Sequence, residues 1–212
     1  MRQAGLALFV VTFVVAACSS AEPWSSPSRD LAATASPAAS IASSPAAVSA
    51  SPAPTPTLTK KPAVPLAITS SAFAEGGPIP REFTCDGAGT SPPLVWSGIP
   101  AGTAALFLIV DDPDAGGFIH WVASDLNPTI AGLAAGASTA PNAPAQGTNS
   151  FGRIGYGGPC PPSGTHRYVF RLLAVDRPAA FRGGTATAGS VLAAAAGHTL
   201  AEVTLTGTYR RH

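Results

Sequence analysis

The sequence predicts a mainly β domain, in which antiparallel sheets form a β-sandwich or β-barrel-like core and a short C-terminal helix packs beside it. Two observations predict this class. Short runs rich in β-branched and aromatic residues recur between clusters of Gly, Pro, Asp and Ser, which favour turns. Only residues 187–196 have the composition of a helix, and Gly197 is placed to end it.

The candidate strands are spread over the last two thirds of the chain. They are residues 66–69, 94–96, 106–110, 119–122, 166–175 and 203–206. The run 106–110 is apolar throughout, as expected of a buried strand. Residues 128–147 are rich in Ala, Pro and Gly and are expected to be irregular.

The first 18 residues are predicted to be a lipoprotein signal peptide. Arg2 supplies a positive charge, and residues 6–15 form an apolar run well short of the ~20 residues that a membrane-spanning helix needs. The run ends in Val-Ala-Ala-Cys, which resembles the lipobox of bacterial lipoproteins and makes Cys18 the lipidated residue. The predicted location is the extracytoplasmic face of a bacterial membrane, with the lipid as anchor. Ordinary cleavage that leaves Cys18 unmodified is the alternative.

Residues 19–65 consist almost entirely of Ala, Ser, Pro and Thr and cannot bury an apolar core. Because the prolines favour extended conformations, this segment is predicted to be a disordered tether. The folded domain is expected over residues 66–212, which is long enough for one hydrophobic core. The net charge of +1, without any basic run, argues against nucleic acid as a partner.

Residues 106–122 organise the domain, because they contain a buried strand, a turn and the start of the next strand. Asp112 stands at the end of the first strand and His120 near the start of the second. Across a hairpin-like turn the carboxylate and the imidazole would face each other, and each would change the proton affinity of the other. The alternative is that Asp112 only accepts local N–H groups in the turn and that His120 is a core residue.

A second motif, residues 157–168, joins a Gly- and Pro-rich loop to the start of a strand. Alternate residues of a strand share a face, so His166 and Tyr168 place two polar groups at the end of an otherwise apolar face. The backbone N–H groups of Gly157 and Gly158 are expected to point towards an anion.

The sequence resembles the phosphatidylethanolamine-binding proteins, also called Raf-kinase-inhibitor-like proteins, of the bacterial type. The matching segments are CDGAGTSPPLVW, DDPDAGGFIHWV, QGTNSFG, GYGGPCPPSGTHRYVF and GHTLAEVTLTGTY. They occur in family order over residues 66–209. The resemblance implies two antiparallel β-sheets with a small pocket at one edge that takes anions and phosphorylated head groups.

The resemblance also implies which residues form this pocket. They are Asp112, His120, Gly158, His166 and Tyr168, with Pro159 as part of the wall. Imidazole, hydroxyl and backbone donors would bind phosphate or carboxylate oxygens, while Asp112 would orient His120 or His166. Many members have Pro where this chain has Gly116, and the C-terminal tyrosine that closes the pocket in animal members has no visible counterpart. We therefore expect a more open mouth.

The same side chains could be read as a metal site of two histidines and one carboxylate, formed by Asp112, His120 and His166. Their spacing is not that of metal ligands in sequence, and the resemblance implies anion binding without metal. We therefore expect neither a metal nor a cofactor.

Cys85 and Cys160 remain as an even pair in an exported domain, which favours a disulfide; two free thiols beside the pocket are the alternative.

Three classes of function are consistent with these features. The first is a membrane-anchored module that binds a small anion or phospholipid head group, such as phosphate or phosphoethanolamine. The second is an inhibitor of a protease or kinase that acts through the loops around the pocket. The third is a hydrolase with a histidine as general base, which lacks a recognisable nucleophile. The sequence favours the binding module and predicts that the protein is not an enzyme.

Overall fold

The computed structural model describes residues 64–182 and 184–211. The predicted signal peptide, the lipidation site at Cys18 and nearly all of the predicted tether lie outside these residues. The strands are β1 (Ala67–Thr69), β2 (Leu94–Ser97), β3 (Ala105–Asp112), β4 (Phe118–Leu126), β5 (Gly132–Leu133), β6 (Ala145–Gln146), β7 (Thr165–Val175) and β8 (Thr199–Arg210). A helix, α1 (Ala188–Ala195), precedes the last strand, and short 3-10 turns occupy Arg81–Phe83 and Pro113–Ala115.

The strands form two antiparallel sheets. The smaller has the order β1-β2-β5, and the larger has the order β6-β4-β3-β7-β8. The predicted mainly β fold is therefore confirmed, with two sheets and one short helix.

Strand β3 is the centre of the larger sheet, and both of its faces are covered. Leu106 and Leu108 belong to a core cluster that also contains Trp96 of the smaller sheet. Phe107 and Ile109 point to the opposite face, where they belong to a second cluster with Val191 of α1. Burial on both faces explains why this strand is a continuous apolar run and does not alternate with polar residues.

The helix begins and ends where its sequence signals indicate. The Thr187 side chain accepts a hydrogen bond from the backbone N–H of Ser190, and the Ser190 hydroxyl accepts one from the N–H of Thr187. This reciprocal capping satisfies backbone donors that have no partner inside the helix. Gly197 has a φ of 76°, a left-handed conformation that glycine adopts at little steric cost after a helix end.

Two sequence expectations need correction. Residues 128–147 are not wholly irregular, because they contain β5 and β6; strands of two residues are too short for a recognisable alternating pattern. The last strand has 12 residues and runs well beyond the predicted 203–206. It pairs with β7 along nearly its whole length, and this long-range pairing decides its extent.

Within the described part of the chain, no helix has both the length and the apolar character needed to cross a membrane.

Candidate functional site

Asp112 joins a tight turn to a histidine on a distant strand. Its Oδ1 atom accepts hydrogen bonds from the backbone N–H groups of Asp114 and Ala115, at 2.9 Å and 3.1 Å. Its Oδ2 atom lies 2.7 Å from Nδ1 of His166. Because a carboxylate accepts hydrogen bonds, His166 donates through Nδ1. Asp112 therefore combines the turn chemistry and the orienting role that the sequence left as alternatives.

His120 lies on the neighbouring strand and has a different partner. Its Nδ1 atom lies 2.7 Å from the carbonyl oxygen of Gly157, and the Gly157 N–H donates to the His120 carbonyl at 2.8 Å. A carbonyl oxygen can only accept, so Nδ1 carries the hydrogen and Nε2 remains for another partner. The expectation that Gly157 points its N–H group towards an anion is wrong, because this group pairs with the backbone of β4. Asp112 is accordingly not the hydrogen-bond partner of His120.

Burial sets the charge of the His120 ring. The residue is only 3% exposed, and desolvation lowers its pKa below the usual value, against the raising effects of the Gly157 carbonyl and the charge of Asp112. Phe118, Phe151 and Tyr168 each place a ring within 5.4 Å of the imidazole, measured between centroids. The imidazole is therefore neutral at neutral pH, with an acceptor lone pair at Nε2.

Tyr168 carries a buried hydroxyl group without a hydrogen-bond partner among the described residues. The residue is 1% exposed. Burial raises its pKa, the charge of Asp112 raises it further, and a backbone hydrogen-bonding contact from Cys160 lowers it, although that contact is too long or too bent to count as a hydrogen bond. The hydroxyl therefore keeps its proton and has a hydrogen to donate. Most buried polar groups in native proteins are paired, so an unpaired one requires a physical explanation.

Asp112, His120 and Tyr168 meet at a cavity of about 250 Å³. They come together because β4, β3 and β7 are neighbours in the larger sheet. The cavity is lined by Asp112, Ala115, Phe118, His120, Phe151, Cys160, Pro161, Pro162 and Tyr168. Its volume is below the ~300–1,000 Å³ of pockets for drug-sized ligands, so it suits a small chemical group.

Three predicted pocket residues lie outside this lining. A side chain at Gly158 would place its Cβ 2.9 Å from the backbone of Phe83 and Thr84, so the position requires a glycine for close packing. Pro159 is buried, and its carbonyl accepts a hydrogen bond from the N–H of Cys85. His166 does not line the cavity itself; it contacts Asp112, which does.

A disulfide joins Cys85 and Cys160, whose positions are 75 residues apart in sequence. Cys160 lines the cavity, and so do Pro161 and Pro162. The disulfide therefore ties the proline-rich wall of the cavity to the loop that follows the 3-10 turn Arg81–Phe83.

The 3-10 turn Pro113–Ala115 is also tied to β7 by an ion pair. The Asp114 carboxylate accepts hydrogen bonds from the Arg167 backbone N–H at 2.8 Å and from its guanidinium group at 2.7 Å and 3.0 Å. These bonds lower the pKa of Asp114 to about 2. The pair is exposed, so its main effect is positional: it holds the turn beside His166.

One departure from the family pattern, Gly116, directly follows the lining residue Ala115. Gly116 has a φ of 66°, a conformation that proline cannot adopt, and it ends the 3-10 turn. Within the described part of the chain, no residue that follows Tyr168 in sequence lines the cavity.

The metal alternative finds no geometric support. In residues 64–182 and 184–211 no three His, Cys, Asp or Glu side chains are grouped as a metal ion would require.

Sequence reasoning missed the apolar part of the wall. Phe118 and Phe151 pack edge to face, with centroids 4.8 Å apart, and both line the cavity. Phe151 lies in the segment QGTNSFG, one of the segments that carry the family resemblance. The only signal in the sequence was position, because Phe118 stands two residues before His120 and Phe151 lies in a polar, Gly-containing loop.

Together these features define a β-sandwich protein with a small, mixed polar and aromatic cavity at the ends of its central strands. A family model described as phosphatidylethanolamine-binding protein matches residues 69–210. The chain belongs to this family, as the resemblance predicted.

Relatives in several organisms support the assignment. A UPF0098 protein of Methanothermobacter thermautotrophicus is 45% identical over 149 residues, which cover 68% of this chain and 98% of the relative. A Mycobacterium tuberculosis relative, whose name gives it as a candidate lipoprotein, LppC, is 46% identical over 125 residues, covering 57% of this chain and 59% of the relative. Neither name describes an enzyme.

Two crystal structures have a similar fold. A phosphatidylethanolamine-binding protein homologue from Chlamydia trachomatis has a TM-score of 0.65 and 39% identity, covering 70% of this chain and 99% of its own. Escherichia coli YbcL, described as a member of the mammalian family, has a TM-score of 0.65 and 28% identity, covering 70% and 100%.

Proposed function

We propose that this protein is a binding module for a small phosphate-like anion, which it takes into the 250 Å³ cavity. The observation that carries the proposal is the Tyr168 hydroxyl, which is buried beside the cavity without a partner. An unpaired buried hydroxyl is unfavourable by about 1–3 kcal/mol, and an oxyanion in the cavity would remove that penalty by accepting its hydrogen bond.

The other lining residues suit binding better than catalysis. Among them are no lysine and no serine, and Cys160 is held in a disulfide. A hydrolase would need an activated nucleophile or a positioned water; this wall contains no serine or free thiol, and both oxygens of Asp112 are already engaged in hydrogen bonds. Phosphate and phosphoethanolamine-like head groups are therefore the proposed ligand class, and the protein is proposed not to be an enzyme.

The test is calorimetric titration of inorganic phosphate into the purified full chain. Tyr168→Phe is expected to weaken phosphate binding roughly two- to twelvefold, because one neutral hydrogen bond, worth about 0.5–1.5 kcal/mol, is lost. The same variant is expected to unfold at an equal or higher denaturant concentration in the absence of phosphate, since the unpaired hydroxyl is gone. Weaker binding with undiminished stability separates a ligand-binding role from a structural one.

Tyr209→Phe is the matched control. Tyr209 lines a different cavity of about 520 Å³, together with Arg81 and Arg210. Its hydroxyl donates to Asp86 at 2.8 Å, so it already has a partner. Loss of phosphate affinity in Tyr209→Phe alone would place the anion in that other cavity. Absence of binding by folded wild-type protein would contradict the proposal and favour inhibition of a partner protein through the surrounding loops.

We further propose that the protein is exported and anchored to the membrane by a lipid at Cys18. The Val-Ala-Ala-Cys segment and the name of the M. tuberculosis relative support this proposal. Cys18→Ala is expected to move the protein from the membrane fraction to the soluble fraction, because the acyl chains contribute about 0.8 kcal/mol per buried CH₂ group. A variant that still sediments with membranes, together with a wild type that carries no acyl mass, would contradict the anchor.

A further inference from the structure

We propose that the cavity selects an oxyacid group that brings its own proton, so that a phosphomonoester in its singly charged form is bound in preference to a phosphodiester. The inference rests on the proposed function and narrows its ligand class. It follows from two lining residues that each keep an unused hydrogen-bonding group: His120 has a free acceptor at Nε2, and Tyr168 has a buried hydroxyl without a partner, whereas both oxygens of Asp112 already accept hydrogen bonds.

The acceptor is a consequence of the fold. The Gly157 carbonyl, 2.7 Å from Nδ1 of His120, can only accept, so the ring hydrogen of the neutral imidazole stays at Nδ1. The same glycine returns a backbone hydrogen bond to His120, which keeps the carbonyl in place. Nε2 is left with a lone pair, and the ring lines the cavity.

The surroundings of His120 act on its charge in both directions. Burial lowers its pKa most strongly, while the backbone of Gly157 and the charges of Asp112 and Asp111 raise it. The remaining polar groups that face the ring belong to the Gly158 backbone, to Tyr168, and to His166 through Asp112. The net direction is a lowered pKa, which agrees with the three aromatic rings around the imidazole.

The charge on the wall also disfavours a doubly charged ligand. Asp112 lines the cavity and acts as an acceptor in each of its three hydrogen bonds, as a carboxylate does. A second negative charge on the ligand would lie close to this carboxylate in a site that excludes much of the water, where like charges repel strongly.

Only some phosphate groups match this pattern. A phosphomonoester with one negative charge has a P–OH group to donate to Nε2 and P–O oxygens to accept from Tyr168. A phosphodiester has the oxygens but no P–OH group, so its binding leaves Nε2 without a donor unless His120 first takes up a proton. Burial makes that protonation unfavourable.

Ethyl phosphate and dimethyl phosphate are suitable probes because they are constitutional isomers. At pH ~5, about one unit below the second pKa of a phosphomonoester, both carry close to one negative charge. They then differ in the P–OH group but hardly in size or charge. Calorimetry with the purified full chain is expected to show ethyl phosphate binding at least tenfold more tightly. Equal affinities, or tighter binding of dimethyl phosphate, would overturn the inference.

The affinity for ethyl phosphate supplies a second measurement. Between pH ~6 and ~8 it is expected to fall up to tenfold per pH unit, because the bound complex holds one proton that the dianion lacks. Titrations in two buffers with different heats of ionisation should show uptake of close to one proton at pH ~8 and very little at pH ~5. An affinity that does not change over this range would also overturn the inference.

His120→Gln tests the assignment to this residue, because an amide side chain offers both a donor and an acceptor. The preference for ethyl phosphate is expected to shrink to less than threefold, whereas a purely steric preference would persist. Nitrogen-15 NMR of the wild type is expected to show Nε2 without hydrogen at neutral pH, and this measurement does not depend on whether the variant folds.

The failure of this inference can be told apart from the failure of the proposed function. If both isomers bind equally and Tyr168→Phe weakens both, only this inference fails. If neither isomer nor inorganic phosphate binds, the proposed function itself fails.

Discussion

Replacing both Cys85 and Cys160 by alanine is expected to lower the free energy of unfolding by about 4.5 kcal/mol. The two cysteines close a loop with a sequence separation of 75, and the value follows from the entropy that such a cross-link removes from the unfolded chain. For a domain of this size the melting temperature should fall by roughly 9–18 °C. Reversible urea unfolding measures the change.

The Cys18→Ala variant is the background for this experiment, because it removes the third cysteine. Without reductant, its denatured form is expected to show no titratable thiol. Reduction of the disulfide in Cys18→Ala should lower the free energy of unfolding by about as much as the replacement of Cys85 and Cys160, without any substitution in the domain. A stability change below 1 kcal/mol, or two free thiols in protein from an oxidising compartment, would contradict a structural role for the disulfide. Phosphate binding should weaken in parallel, because Cys160 lines the proposed site.

Asp112→Ala is expected to destabilise the domain by about 3 kcal/mol. The loss of a capping side chain from a turn or helix start is worth about 1 kcal/mol, and the loss of a hydrogen bond to a charged group is worth about 1.5–3 kcal/mol. Asp112 is 3% exposed, so water compensates poorly for either loss. Denaturant unfolding at neutral pH measures the sum.

Two further variants separate the contributions of Asp112. Asp112→Asn keeps an oxygen for the N–H groups of Asp114 and Ala115 but presents an amide to His166, so it should destabilise the domain much less than alanine. His166→Ala removes only the bond to Oδ2 and leaves the turn intact. If Asp112→Ala is no more destabilising than His166→Ala, the capping bonds contribute nothing and this account of Asp112 is wrong.

The two oxygens of Asp112 also explain how the site is built. Oδ1 fixes the 3-10 turn that carries Ala115 into the cavity wall, while Oδ2 fixes the ring of His166. The Asp114–Arg167 pair joins the same turn to β7 from the outside. These contacts fix the positions of the residues around Tyr168 before a ligand binds. Binding therefore costs less conformational entropy in these side chains.

The sequence by itself determined the features that depend on local pattern. The apolar run 106–110 predicted a buried strand, and in the structure this strand lies between the smaller sheet and α1, so that both of its faces are covered. Thr187 and Gly197 bracket a helix because capping and left-handed φ are properties of a few consecutive residues. The order of the motifs along the chain carried the family resemblance, and the match of the family model to residues 69–210 confirms the family.

Only the tertiary structure decided which donor meets which acceptor. Asp112 bonds to His166, 54 residues away, while His120 bonds to the Gly157 carbonyl, so the two histidines have different roles. The same pairing uses the Gly157 N–H group that had been expected to hold an anion. The physical reason is that register between distant strands, and the path of the loop that joins them, set these distances; composition and periodicity set only the face on which each side chain lies.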